Sequence, residues 1–401
     1  MGRAARAATA ATCLAVTALL TGCGVSGTPT AGEIDVRTLD TGSYPVDRYT
    51  YQERAEGSGP VLEGMRMAEA VTPAVRIDPS LTVGRGGIVL PDADTVVEVS
   101  HLSGVSRPIL ENRGFIAGYA ASGSDKPDPA GSDAPDPTST TVTVRLLRFP
   151  TEDAAKLAAR ELEDADFDVA REQNRKLTIA EYPDAFAHWR PGVPNIGMTM
   201  PRKEFVIAVF ASRPRADEQD LVSWARKTLD AQVPLVDAFE PTPADRVDDL
   251  PVDPGRMLAR TLVDSRDGHT PNPDDFAVYG PNALVLGAPD QAKRQQLVDD
   301  TDLDAMSLTE ENVLFRVRDA AAGRNLIDGL IGSLGERWVS GSAPERVPDT
   351  TCMRLPRSSS GDGVYRCYVS YKRYVALVNA DSETSVQRKA SAQYALLANS
   401  L

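Results

Sequence analysis

The sequence predicts an α+β protein of two tandem domains, each a mainly antiparallel sheet with helices on one face. Three observations carry that expectation. The chain has 401 residues, enough for two domains at roughly 100–200 residues each. Apolar residues make up 42% and charged residues 25%, an ordinary globular balance that excludes wholesale disorder. Strand-like and helix-like patterns then alternate twice, on either side of a stretch rich in proline and aspartate.

The first 22 residues read as a signal peptide. Arg3 and Arg6 precede an uncharged run, Ala7 to Leu20, that is too short to span a bilayer. Leu20-Thr21-Gly22-Cys23 follows, which resembles the bacterial lipobox. Cleavage before Cys23 would leave its thiol to take a diacylglyceryl group, and acyl chains of that kind hold a soluble domain stably on a membrane. An ordinary leader with an incidental cysteine is the alternative. Residues 23–58, rich in Gly, Thr, Ser and Pro near the anchor, form a tether and an extended arm ending at Gly57-Ser58-Gly59-Pro60.

The first domain is expected over 59–240. Leu62, Met65, Met67 and Ala68 suggest a short helix, and Phe115–Ala120 a strand. The run 121–139 is Pro, Asp, Ser and Gly, which cannot bury a core and reads as a flexible loop. Beyond it Val142, Val144 and Leu146 alternate with Thr143 and Arg145, the pattern of a half-buried strand with its polar side chains outward. Thr151 caps a helix carrying Glu152 and Asp153 in its first turn. Phe205–Phe210 is a central strand, and Asp217–Asp230 a helix with Leu221, Val222, Ala225 and Leu229 on one face.

Pro241-Thr242-Pro243 to Asp253-Pro254-Gly255 is the expected linker, 241–255. The second domain, 256–401, repeats the rhythm. A strand is predicted at Ala283–Leu286, a helix at Pro289–Val298, and a strand at Val313–Val317. A helix through Leu326, Ile327, Leu330, Ile331 and Leu334 follows, and a last one through Val386, Ala390, Tyr394 and Leu397. Two β-α-β-β-α rhythms in tandem suggest a duplicated ferredoxin-like topology, although no residue-level repeat accompanies them.

Of four cysteines, Cys13 leaves with the leader and Cys23 is the lipidation candidate. Cys352 and Cys367 remain, an even pair in an exported chain, and are expected to form a disulfide across a turn-rich hairpin. Such a bridge stabilises by about 3 kcal/mol. C-x-x-C spacing is missing, which favours a structural bridge over redox-active thiols.

Catalytic signatures are scarce. The three histidines, His101, His188 and His269, form no metal-binding pair along the chain. There is no G-x-S-x-G elbow, no S-x-x-K, no phosphate loop and no dinucleotide fingerprint, and no cofactor is implied. Paired carboxylates for glycoside hydrolysis remain open, because acids are plentiful. Asp300, Asp302, Asp304 and Glu311 fall at positions 1, 3, 5 and 12 of a calcium loop. Ala305 stands where that loop needs glycine, so a solvated acidic turn is the plainer reading. Tyr365, Tyr368, Tyr371 and Tyr374 lie among Arg366, Lys372 and Arg373. In one extended strand Tyr365 and Tyr371 would share a face, with Tyr368 and Tyr374 on the other. A tyrosine-and-cation face suits glycans or peptides, while strand propensity alone also explains tyrosine there. A net charge of -14 argues against nucleic acid as a partner.

Gly32-Glu33-Ile34-Asp35-Val36-Arg37, then Leu39-Asp40, Gly42 and Tyr44-Pro45, resembles the opening of a lipoprotein family of mycolic-acid-bearing actinobacteria, filed as a domain of unknown function. That resemblance implies a two-domain envelope lipoprotein and supplies no catalytic residue. The expected protein is therefore a non-enzymatic binding or scaffolding module, lipid-anchored on the extracytoplasmic side of the plasma membrane. Its partner would be an envelope ligand or protein. The alternatives are an envelope hydrolase with acidic catalytic residues, or a sensor or accessory subunit of a membrane complex.

Overall fold

The computed structural model describes residues 34–51, 54–99, 102–131, 135–356 and 364–401. The leader, the lipobox and Cys23 lie outside the described residues, as does His101. Val36–Leu401 forms one compact unit.

The first half opens with helices α1 (Gly59–Met67) and α2 (Ala74–Ile77). Strand β1 (Val83–Leu90) leads through α3 (Ala93–Val99) and α4 (Arg107–Asn112) to β2 (Ala117–Ser124) and β3 (Thr141–Arg148). Helix α5 (Glu152–Asp168) then carries the chain to the far edge of the sheet. From there β4 (Arg175–Leu177), β5 (Phe186–Trp189), β6 (Asn195–Arg202) and β7 (Phe205–Ser212) return as a meander, and α6 (Glu218–Ala238) follows. In the second half, β8 (Phe276–Tyr279) is followed by α7 (Asn282–Leu286), α8 (Gln291–Thr301), β9 (Ala305–Thr309) and β10 (Asn312–Arg316). Helix α9 (Ala320–Gly332) again crosses to the far edge. There β11 (Val339–Ser340), β12 (Thr350–Leu355), β13 (Val364–Tyr371) and β14 (Tyr374–Ala380) return, and α10 (Glu383–Ser400) ends the chain.

Each sheet has seven strands, every neighbouring pair antiparallel. The first runs β1-β2-β3-β7-β6-β5-β4, and the second has the same order with β8 in the place of β1. The duplication expected from the rhythm is therefore present, but its unit is not ferredoxin-like. The three strands of each β-α-β-β-α rhythm miss the meander that each crossover helix makes possible. The helices also flank both faces. Val206, on one side of β7, packs with Leu147 and with Ala158 and Leu162 of α5, while Ile207 and Val209 on the other pack in the core that holds Leu221, Ala225 and Leu229 of α6.

Local chemistry sets the helix starts. Thr151, Asp217, Asp290, Asp319 and Ser382 each accept a hydrogen bond from a backbone N–H of the first turn of α5, α6, α8, α9 and α10. Helix α6 runs past the expected end at Asp230, through Pro234, to Ala238. Buried Val236 holds that extension against the core. The strand expected at Ala283–Leu286 is helix α7, because a four-residue apolar run fits either period and tertiary contacts decide.

The halves share one hydrophobic core, which includes Met67 and Val71 of the opening segment, Ile207 of β7 and Phe276 of β8. Polar contacts stitch them as well. Gly84 donates its N–H to Ala288 O at 2.8 Å, and Gln291 donates its own to Thr82 O at 2.7 Å. A Cβ on Gly84 would lie 2.3 Å from Leu286 O, so only glycine permits this approach. The amide of Asn282 donates to Ala68 O and Val71 O, both at 2.7 Å. Segment 241–255 is also packed, with Val247 and Val252 buried. Thr242 hydrogen-bonds to Glu63, which is fully buried and pairs with Arg148 at 2.5 Å. On the second half, the arm before α1 is held by ion pairs Asp40–Arg388 and Asp47–Arg266.

Candidate functional site

The polar residues of β3 do not face solvent as the alternating pattern suggests. Thr143, Arg145 and Leu147 point to the α5 side of the sheet. Leu147 packs in the small core under α4 and α5, whereas Thr143 and Arg145 lie where, among the described residues, no helix covers the strands. A cleft of about 610 Å³ opens there, a volume within the roughly 300–1,000 Å³ of ligand sites. Arg145 lies at the centre of its floor, paired in register with Ala120 of β2 and Ala208 of β7. The two alanines and Gly197 of β6 leave a depression around it.

One wall is the last turns of α5, with Leu162, Glu163 and Asp166; Val99, Leu102, Ser103 and Ser106 line another. At the mouth, Ile88, Val99 and Phe210 keep 44%, 39% and 38% of their surface exposed, unusual for large apolar side chains. Polar groups are held in place. Ser122 and Thr143 hydroxyls lie 2.7 Å apart, and Thr199 donates to Ala159 O at 2.6 Å. Glu163 is buried but engaged on both oxygens, by Lys176 at 2.5 Å and by His188 Nδ1 at 3.3 Å. His188 Nε2 lies 3.8 Å from Asp166, which stays half exposed. Burial pushes the Arg145 guanidinium down to about 10, with the Asp166 charge acting the other way, so it remains a desolvated cation at neutral pH.

The second half has the same floor without the cleft. The last residue of its third strand pairs with the first of its seventh, Arg316 with Tyr374, as Arg148 pairs with Phe205. Counting back from these pairs, Arg145, Ala208 and Thr199 correspond to Val313, Leu377 and Tyr368. Larger apolar side chains occupy the place of the depression, and α8 packs closely on α9. Gly329 of α9 admits Leu297 of α8 so near that a Cβ would lie 2.5 Å from it.

Other sequence candidates fall elsewhere. Cys352 and Cys367 form the disulfide, facing each other in register across β12 and β13. Of the four tyrosines, Tyr368, Tyr371 and Tyr374 are buried and only Tyr365 is partly exposed. The shared faces also differ from a single extended strand. Lys372 and Arg373 form a two-residue turn with Lys372 at φ 52°, which brings Tyr371 opposite Tyr374 on one side. The calcium-loop acids do not converge. Asp300 lies in the last turn of α8, Asp302 pairs with Arg318, and Asp304 pairs with Arg316 and Arg373. Glu311 lies in the β9–β10 turn. Among the described residues no cluster of three metal-ligating side chains occurs, and no helix is long and apolar enough to cross a membrane.

Fold and cleft define a class: a two-domain α+β protein built twice on one topology, with a ligand-sized cleft in its first half. The chain belongs to the DUF7373 family, whose N-terminal domain of unknown function matches residues 50–252 and whose C-terminal domain matches 257–400. No curated protein matches the sequence. Among solved structures, the extracellular domain of PknH from Mycobacterium tuberculosis is similar at a TM-score of 0.31, with 12% identity over 44% of this chain and 98% of that one. A likeness that distant assigns no function.

Proposed function

We propose that the protein is a lipid-anchored, extracytoplasmic binding module of the cell envelope, and that its ligand enters the first-half cleft. The leader and the Leu20–Cys23 motif support the anchor. The Cys352–Cys367 bridge fits an oxidising compartment. One observation carries the binding role: two halves share a fold, and one keeps open a floor that the other fills. Hydrogen exchange of the full chain with envelope extract is the test. The reading expects added protection in the last turns of α5 and in 102–106. Protection confined to the second half, or none, overturns it.

A hydrolase is the second reading, favoured by the Glu163–His188–Asp166 series at the cleft wall. Glu163 is already taken up by Lys176 and His188, which leaves Asp166 one carboxylate short of a glycosidase pair. If a hydrolase it is, His188→Gln abolishes turnover of envelope substrates by the full chain; turnover that survives this change removes the series from any mechanism.

A further inference from the structure

We propose that one end of the second sheet rests on the phospholipid bilayer, with Trp338, Leu355 and Val364 at the level of the headgroups. This rests on the reading of Cys23 as a lipid anchor, and names the face that the anchor holds against the membrane.

The arm decides which part of the molecule the anchor can reach. Cys23 and Val36 are 13 residues apart, a span of no more than about 47 Å at full extension. From Val36 onward the arm runs along α10 in the direction of the helix. Val36–Thr38 packs on α10, Asp40 pairs with Arg388 at 3.0 Å, and Val46 O accepts a hydrogen bond from Asn399 at 2.8 Å. The arm therefore meets the folded unit at the N-terminal end of α10.

That end of α10 is also one end of the sheet. Ser382 caps α10 two residues after Ala380, and Ala380 pairs in register with Tyr365 of β13. The segment after β11 closes the group. Gln387 donates to Ser342 O at 3.1 Å, and Arg346 donates to Thr38 O at 3.3 Å.

The side chains at this end suit a lipid surface. Leu355 pairs with Val364 across β12 and β13, and Trp338, just before the Val339–Arg354 pair, extends the row onto the next strand. Arg366 stacks over Trp338, 4.9 Å from the ring centroid. Val339 and Val364 keep 39% and 37% of their surface exposed, at a cost in water that lipid would relieve. A tryptophan, the partly exposed Tyr365 and arginines with apolar stems are the side chains that membrane interfaces favour. Charge does not carry the contact, because Glu336, Asp381 and Glu383 offset Arg337, Arg354 and Arg366. A neutral bilayer should therefore serve.

The first half again acts as a control. Counting from the matched pairs Cys352–Cys367 and Ala187–Met198, Leu355 and Val364 correspond to Arg190 and Asn195. The fold does not need apolar side chains at this end of a sheet, and they occur in the half where the arm arrives.

The test uses acylated protein from its own membrane, reconstituted into phosphatidylcholine vesicles with brominated acyl chains. Bromine quenches indole only at short range, and Trp189 and Trp224 are buried in the first half. Against unbrominated vesicles, emission should fall by roughly a third, the share of one indole among three. Trp338→Phe should abolish the loss. Leu355→Arg combined with Val364→Asn, which copies the first half, should cut it by roughly 2-fold or more while the acyl chains still hold the folded protein on the vesicles. Emission indifferent to bromine, a loss that persists in Trp338→Phe, or one undiminished in the double variant each overturns the proposal. If the chain carries no acyl group by mass spectrometry and does not float with vesicles, the anchor falls and the proposal with it. An acylated, vesicle-bound chain without quenching overturns the proposal alone.

Discussion

The two halves of the chain are one backbone plan carrying two sets of side chains. At three matched floor positions the first half has Arg145, Ala208 and Thr199, and the second has Val313, Leu377 and Tyr368. The second half uses the floor as ordinary core, closed by α8 and α9. In the first half the helices between β1 and β2 are short, of seven and six residues, and the same floor stays open. A repeated fold is thus a built-in control: whatever the sheet requires is common to both halves, and what only the first half carries needs another explanation.

The largest expected difference between the halves lies at matched arginines. Arg148 is buried against Glu63, whereas Arg316 pairs with the half-exposed Asp304. Removing one partner of a buried pair costs about 3–5 kcal/mol, and an exposed pair is worth about 0–1 kcal/mol. Chemical denaturation should therefore show Arg148→Ala strongly destabilised and Arg316→Ala nearly unchanged. Similar losses in both would break the contrast.

Next is the disulfide, which only the second half has. Its cysteines occupy the register of Ala187 and Met198 in the first. Cys352→Ser should lower stability by about 3 kcal/mol, and reduction of the wild type should have the same effect. If the two halves melt separately after reduction, the shared core does not bind them into one cooperative unit.

A smaller effect comes from the junction. Burial raises Glu69 to about 7, opposed by the Asn282 N–H and the Arg76 charge. A carboxyl with a raised native pKa binds more protons folded than unfolded, so stability falls as pH rises from about 4.5 to about 7. The fall should be on the order of 2–3 kcal/mol, and Glu69→Gln should flatten it. A slope unchanged in that variant would mean that Glu69 is not the titrating group.

Smallest of all, Arg145→Val copies the second half into the first. Denaturation should show a stability change within about 1 kcal/mol, because a desolvated cation is exchanged for an apolar side chain. A loss of several kcal/mol would make Arg145 structural.

Much of the architecture was legible. The cap residue Thr151 and the apolar stripes marked where the long helices form, and the alternation in β3 and the apolar run in β7 marked central strands. Strands β1 and β6 were hidden because Gly84, Gly86 and Gly87 in one, and Gly197 and Pro201 in the other, break any period-2 signal. Gly86 and Gly197 line the cleft, so two of the residues that obscure the strands belong to the site. The Lys372-Arg373 turn carries none of the usual turn residues, so the sequence predicts a single strand through it. Arg145 reads in the sequence as one more outward polar side chain; its place on the cleft floor comes from the strands that the fold brings beside it, β2 and β7. The repeat leaves few shared side chains, Arg148 and Arg316 among them, because strand pairing is repeated and the floor residues are not.

The central claim is that the open floor of the first half is a ligand site. Native mass spectrometry of the chain isolated from its own membrane, wild type beside Ala208→Leu, tests it most directly, since that substitution places the second half's leucine at the matched position. The account predicts a non-covalent adduct on the wild type that is lost from a folded Ala208→Leu protein. An adduct retained undiminished by that variant would place the ligand elsewhere and contradict the account.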